Sequence, residues 1–175
     1  MRQSSAPVTP RADAARRTES LGIACLIGQF FLSLAAGAWA AGIADDGGGA
    51  VRLYAAMGLV AGLVLAHVAA NGFRLLAALV IGAISLPGLL KRLESQPVTL
   101  AAIARNSGDN RRSERIVNAV ALLLHGAVLL AAASLVAGVI AATHAIGFLT
   151  LWWRFALAAA VLMPLTRRGL MVMGP

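Results

Sequence analysis

Acidic side chains are missing from every long apolar stretch of this sequence: all seven Asp and Glu residues fall in the tails, turns and connecting segments. A proton or cation path across a membrane normally includes a buried acid, so that class of function starts at a disadvantage. Charge of either sign is scarce, at 13% of residues, where a soluble domain needs roughly a quarter to wet its surface. Cysteine is reduced to Cys25, which excludes an intramolecular disulfide and reads as a small hydrophobe within the first apolar block. Lysine is reduced to Lys91; the other fourteen of the fifteen basic residues are arginine, a composition that fits a GC-rich bacterial genome. No nucleophile–base–acid set is visible. The run Gly47-Gly48-Gly49 lacks the flanking pattern of a phosphate-binding loop and reads as a bare turn. With no soluble domain to hold an active site, the chain is not expected to be an enzyme.

What is present is hydrocarbon. Hydrophobic residues make up 59% of the chain, and the mean hydropathy is +0.81. They come in blocks of about twenty or more, the length a helix needs to cross roughly 30 Å of lipid. The expected fold is therefore all-α: a polytopic membrane protein with four transmembrane helices in a bundle over residues 21–44, 53–73, 116–142 and 146–165. Residues 1–20, with Pro7, Pro10 and Arg2, Arg11, Arg16 and Arg17, read as a disordered cytoplasmic tail. The first block is longer than a signal-peptide core and runs past Ala38-Trp39-Ala40, so it reads as an uncleaved anchor.

The stretch from Arg52 to Arg92 decides the topology, because it is too long for one crossing and short for two. Four crossings put twelve basic residues on one side: four in the N-terminal tail, six in residues 91–115, and Arg167 and Arg168. Five crossings would put the six of residues 91–115 outside. The positive-inside bias favours four, with both termini in the cytoplasm of a bacterial inner membrane. Residues 75–90 then remain on the cytoplasmic side as an extra apolar helix, interfacial or re-entrant and broken at Pro87-Gly88. Residues 91–115 form a basic loop with a short helix from Pro97 to Arg105, and its Arg111, Arg112 and Arg115 suit anionic lipid headgroups. The distribution of the net charge of +8 follows topology, so nucleic acid is not an expected partner.

Small residues recur every fourth position, which puts them on one helix face: Ser33, Gly37 and Ala41; Gly58, Gly62, Ala66 and Ala70; Ser134, Gly138 and Ala142. Such stripes let helices approach closely, within the chain or against other membrane proteins or a second copy. Trp152, Trp153 and Arg154 mark the outer interface, with the arginine snorkelling to headgroups.

One constellation could carry chemistry. His67, Asn71 and Arg74 share a face of the second span; Asn118 and His125 share a face of the third; Gln29 lies in the first. At about 1.5 Å per residue Gln29 and His125 fall about 12 Å and His67 about 9 Å from the cytoplasmic boundary, so three helices bring polar groups to one level. They could fix the helix register by hydrogen bonds, line a substrate or ion path, or, through His67 and His125, ligate the iron of a haem b whose propionate Arg74 could pair. No other metal is expected, two histidines alone being a weak zinc site. Three functions follow: a small non-catalytic membrane subunit or accessory protein that packs against partners, a transporter or channel component, and a haem-binding membrane anchor.

Overall fold

A computed structural model describes the backbone over residues 10–46, 49–95 and 100–172, and side chains over residues 20–46, 49–83 and 112–165. Four helices account for nearly all of it: α1 Pro10–Ala41, α2 Ala50–Ser95, α3 Leu100–His144 and α4 Phe148–Val172, with no strand among the described residues. Each contains a segment long and apolar enough to cross a membrane: Ser20–Ala41, Ala50–Ala83, Arg112–His144 and Phe148–Leu165. This is an all-helical, multi-pass membrane architecture.

The boundaries differ from the sequence expectation in three places. First, α1 starts at Pro10, not at residue 21; proline suits a first helical turn, where its missing N–H would have no partner anyway. Second, residues 75–90 form neither a separate interfacial helix nor a dip. They continue α2 without a break to Ser95, and Pro87-Gly88 lies within the helical run. The chain between Phe73 and Ser85 is rich in Leu and Ala, strong helix formers, and holds no proline. Third, most of the expected basic loop is helix, because α3 begins at Leu100. Pro97, the expected start of the short helix there, lies outside the described residues.

The chain forms two compact units, one of Met1–Val60 with Ala133–Pro175 and the other of Ala61–Ala132. In the first, α1 packs along α4. Its core is built from Ala40 and Ala41 of α1, Ala55 and Leu59 of α2, Ala137 and Ile140 of α3, and Leu151, Phe155 and Leu162 of α4. Gly37 makes the closest approach. A Cβ there would lie 2.7 Å from the Ala55 carbonyl oxygen and 2.7 Å from the Ala56 Cα, so only glycine lets α1 and α2 meet at that point. In the second unit α2 buries Gly62, Leu63, Ala66 and Ala70, and α3 buries Ala121, His125 and Leu129.

The turns at the helix ends are locally satisfied. Gly49, with φ +71°, admits the chain into α2; its N–H donates to the Asp45 carboxylate at 3.0 Å, and Arg52 pairs with the same carboxylate at 2.7 Å. A carboxylate at a helix N-terminus also meets the positive end of the helix dipole. The acidic turn is thus occupied by its own backbone and arginine. At the other turn Ala145 takes φ +53°, and the N–H of Ile146 donates to the carbonyl of Ala141 at 3.2 Å. That is a Schellman helix end with alanine where glycine is usual.

Candidate functional site

In the second unit the structure brings His67 of α2 and His125 of α3 into direct contact. Their rings meet edge to face, with centroids 4.6 Å apart and planes at 89°. His125 is fully buried, and its ring lies in hydrogen-bonding reach of the Ala66 backbone. The Nδ1 of His67 lies 2.9 Å from the carbonyl oxygen of Leu63, one turn back. A carbonyl can only accept, so Nδ1 carries a proton, and in the neutral ring Nε2 keeps its lone pair. That Nε2 is buried and has no hydrogen-bond partner. The two helices come this close because Gly62, one turn before Ala66, has no side chain: a Cβ there would meet the Ala132 methyl at 2.5 Å.

The other expected members of the constellation sit differently. Asn71 and Arg74 are half-buried on α2, and each is engaged by a neighbouring group. Asn118 is exposed on α3. Gln29 belongs to the first unit, where it is fully buried and its Nε2 donates to the carbonyl oxygen of Leu162 on α4 at 3.2 Å. That bond ties α1 to α4 at one register. Ser33, one turn further along α1, is also buried and donates to the Phe30 carbonyl at 2.8 Å.

Two imidazoles that share one haem iron stand on opposite faces of the macrocycle with the metal between them. Here the rings touch, so the pair would have to part to admit such a group. Among the described residues no three His, Cys, Asp or Glu side chains converge.

The small-residue stripes fall largely on buried faces. Ser33, Gly37 and Ala41 of α1 are buried, as are Gly62, Ala66 and Ala70 of α2, while Gly58 is half-buried against Val136. On α3 the buried face is one residue earlier than expected: Ala133, Ala137 and Ala141 are buried, Ser134 and Gly138 are half-buried, and Ala142 is exposed. Both rows of α3 are small residues at four-residue spacing, and the sequence pattern fits either.

At the start of α4 the three expected anchors divide. Trp152 turns inward and its indole N–H donates to the Ser134 hydroxyl at 2.9 Å. Trp153 turns outward to meet Trp39 of α1, ring centroids 6.3 Å apart at 82°, and Arg154 lies over both rings. The sequence offers Trp39 only as the centre of a small-x-small site; a tryptophan near the outer end of the first apolar block is the signal that points to it as an anchor.

Fold and site together define a multi-pass helical membrane protein whose buried polar groups join one helix to another. No family model, curated protein or solved structure matches the chain.

Proposed function

We propose that this protein is a small non-catalytic subunit or accessory protein of a bacterial inner membrane, with both termini in the cytoplasm, that works by packing against partner membrane proteins. The observation that carries this is the uncovered length of α2. Its apolar segment, Ala50–Ala83, is 34 residues, or about 51 Å, against a hydrocarbon layer of about 30 Å. Fitting all of it into lipid would take a tilt of more than about 50°, beyond the roughly 40° that spanning helices adopt. Yet past Ala70 no described residue of α2 is fully buried, and Leu75, Leu76 and Leu79 are 65%, 60% and 62% exposed. An apolar helix that long finds cover most readily on another protein.

The partner surface moves accordingly. Gly37, Gly58 and Gly62 are already filled by contacts within the chain, so the exposed face of residues 75–83 takes the place of the small-residue stripes. Changing Leu75 and Leu79 together to alanine is expected to strip co-purifying proteins from the chain in mild detergent, or to dissolve its oligomers, while the same change at the exposed Leu135 leaves them intact. Unchanged complexes in the Leu75→Ala/Leu79→Ala variant would refute the assignment.

A second reading rests on a different observation, the buried lone pair of His67 Nε2 beside His125. It makes the protein a component of a transporter or channel, with His67, Asn71, Arg74 and His125 at the path. His67→Ala would then abolish a flux at unchanged protein level; loss of both in parallel would instead mark the pair as structural.

A further inference from the structure

The cluster of Trp39, Trp153 and Arg154 is built like the upper end of a lipid site. Arg154 is the sixth residue after the start of α4, so its backbone lies about 9 Å into the helix. Its guanidinium nevertheless stands 5.2 Å from the ring of Trp39, two residues from the end of α1, and 5.5 Å from the ring of Trp153. The charge has been carried up to the level of the helix ends and held there by two indoles. Ring faces offset part of its desolvation, but they are not acceptors for the in-plane N–H donors of the guanidinium. Among the described residues no carboxylate pairs with it: Asp45, the one acid in an ion pair, is taken by Arg52. The indole N–H of Trp152 is taken by Ser134, and its neighbour Trp153, like Trp39, faces outward.

Below the cation the surface is apolar. Stepping back from Trp39 by fours along α1 gives Ala35 and Phe31; stepping forward from Trp153 along α4 gives Leu157 and Val161. All four are exposed. Because the end of α1 meets the start of α4 and the helices pack along each other, these two rows descend side by side beneath the arginine. A planar, permanently charged fork above a hydrocarbon track matches one common molecule.

We propose that Arg154, gripped by Trp39 and Trp153, seats the phosphodiester of a membrane phospholipid whose acyl chain lies along Phe31, Ala35, Leu157 and Val161. Guanidinium suits a phosphate better than an ammonium does, because its donors fit two oxygens at once. The track beneath it distinguishes a lipid from free phosphate as the ligand.

The test is native mass spectrometry of the full-length protein in mild detergent. Dioleoyl phosphatidylglycerol, dioleoylglycerol with the same tails, and inorganic phosphate are each titrated in. The phospholipid is expected to be retained and the diacylglycerol lost, with phosphate failing to compete at concentrations far above that of the lipid. Arg154→Gln should weaken phospholipid retention on the order of tenfold, the worth of a charge-assisted pair, and Arg154→Lys by less. Equal retention of phospholipid by wild type and Arg154→Gln would overturn the seat. Competition by phosphate alone would overturn the lipid as its ligand and leave a simple anion site. If Arg154→Gln does not fold, Trp39→Leu serves in its place, since it keeps the charge and removes half the grip. A few-fold loss is expected there, and unchanged retention overturns the proposal.

Discussion

The two units of the chain solve the same problem with different means. In the unit of Met1–Val60 and Ala133–Pro175 all four helices contribute, side chains as large as Phe155 and Leu162 are fully buried, and the embedded polar residue Gln29 gives its N–H to a backbone carbonyl of another helix. In the unit of Ala61–Ala132 only α2 and α3 take part. Their contact sets Gly62 close to Ala132 and Leu129, and Ala66 and His67 against His125, and its polar element is a pair of rings meeting edge to face. Beyond Ala70 on α2, and before Ala121 on α3, no described residue is fully buried. What separates the units is apolar cover: four helices enclose side chains as large as Phe155, whereas the described ends of the two-helix unit stay exposed.

The sharpest way to break this contrast is through the glycines. Gly37→Ala should destabilise the protein most, by about 3 kcal/mol, the upper range for overpacking, because the new Cβ meets backbone atoms of Ala55 and Ala56 that cannot turn aside. Gly62→Ala should cost about 2 kcal/mol, since it meets the Ala132 methyl. Gly28→Ala in the first unit and Gly72→Ala in the second find open space and should be close to neutral. Thermal melts in one detergent would rank the four variants. Equal costs at Gly37 and Gly28 would mean that the close approach of α1 to α2 is not what holds the first unit.

The polar contacts should matter less. Gln29→Leu is expected to cost about 1 kcal/mol, as interhelical hydrogen bonds in membranes do. For the histidines a double-mutant cycle of His67→Leu and His125→Leu should give a coupling of about 0.5–1.5 kcal/mol, the range for an edge-to-face ring pair. A coupling near zero would reduce the pair to neighbours. Smallest is a gain: Ala145→Gly should raise stability by up to about 1 kcal/mol by relieving the left-handed strain at the end of α3. A loss there would show that the Schellman end is not the state the turn occupies.

Much of this was legible in the sequence, for reasons that particular residues make plain. Apolar block length announced membrane helices, the placement of the basic residues chose four spans, and the four-residue spacing of Gly37, Gly62 and Ala66 announced close approach, because all three are one-dimensional signals. The facing of His67 and His125 was legible as a shared level on two helices. What escaped was whatever depended on choosing between equivalent patterns. Ala133, Ala137 and Ala141 read the same as Ser134, Gly138 and Ala142, and only packing selects the first row. The break expected after Phe73 came from the thickness of a membrane, whereas the backbone answers to local propensity, and Leu75 to Ala83 is mostly Leu and Ala and holds no proline. The partnership of Trp39 with Arg154 joins residues 115 positions apart, beyond any periodicity.

The central claim is that the uncovered part of α2 is covered by protein. Photo-crosslinking in intact membranes tests it most directly, with benzoylphenylalanine placed at Leu79 in one variant and at the equally exposed Leu135 of α3 in another. The account predicts a discrete protein adduct from position 79, either a partner or a second copy of the chain, and lipid adducts alone from position 135. Lipid adducts alone from both positions would contradict it.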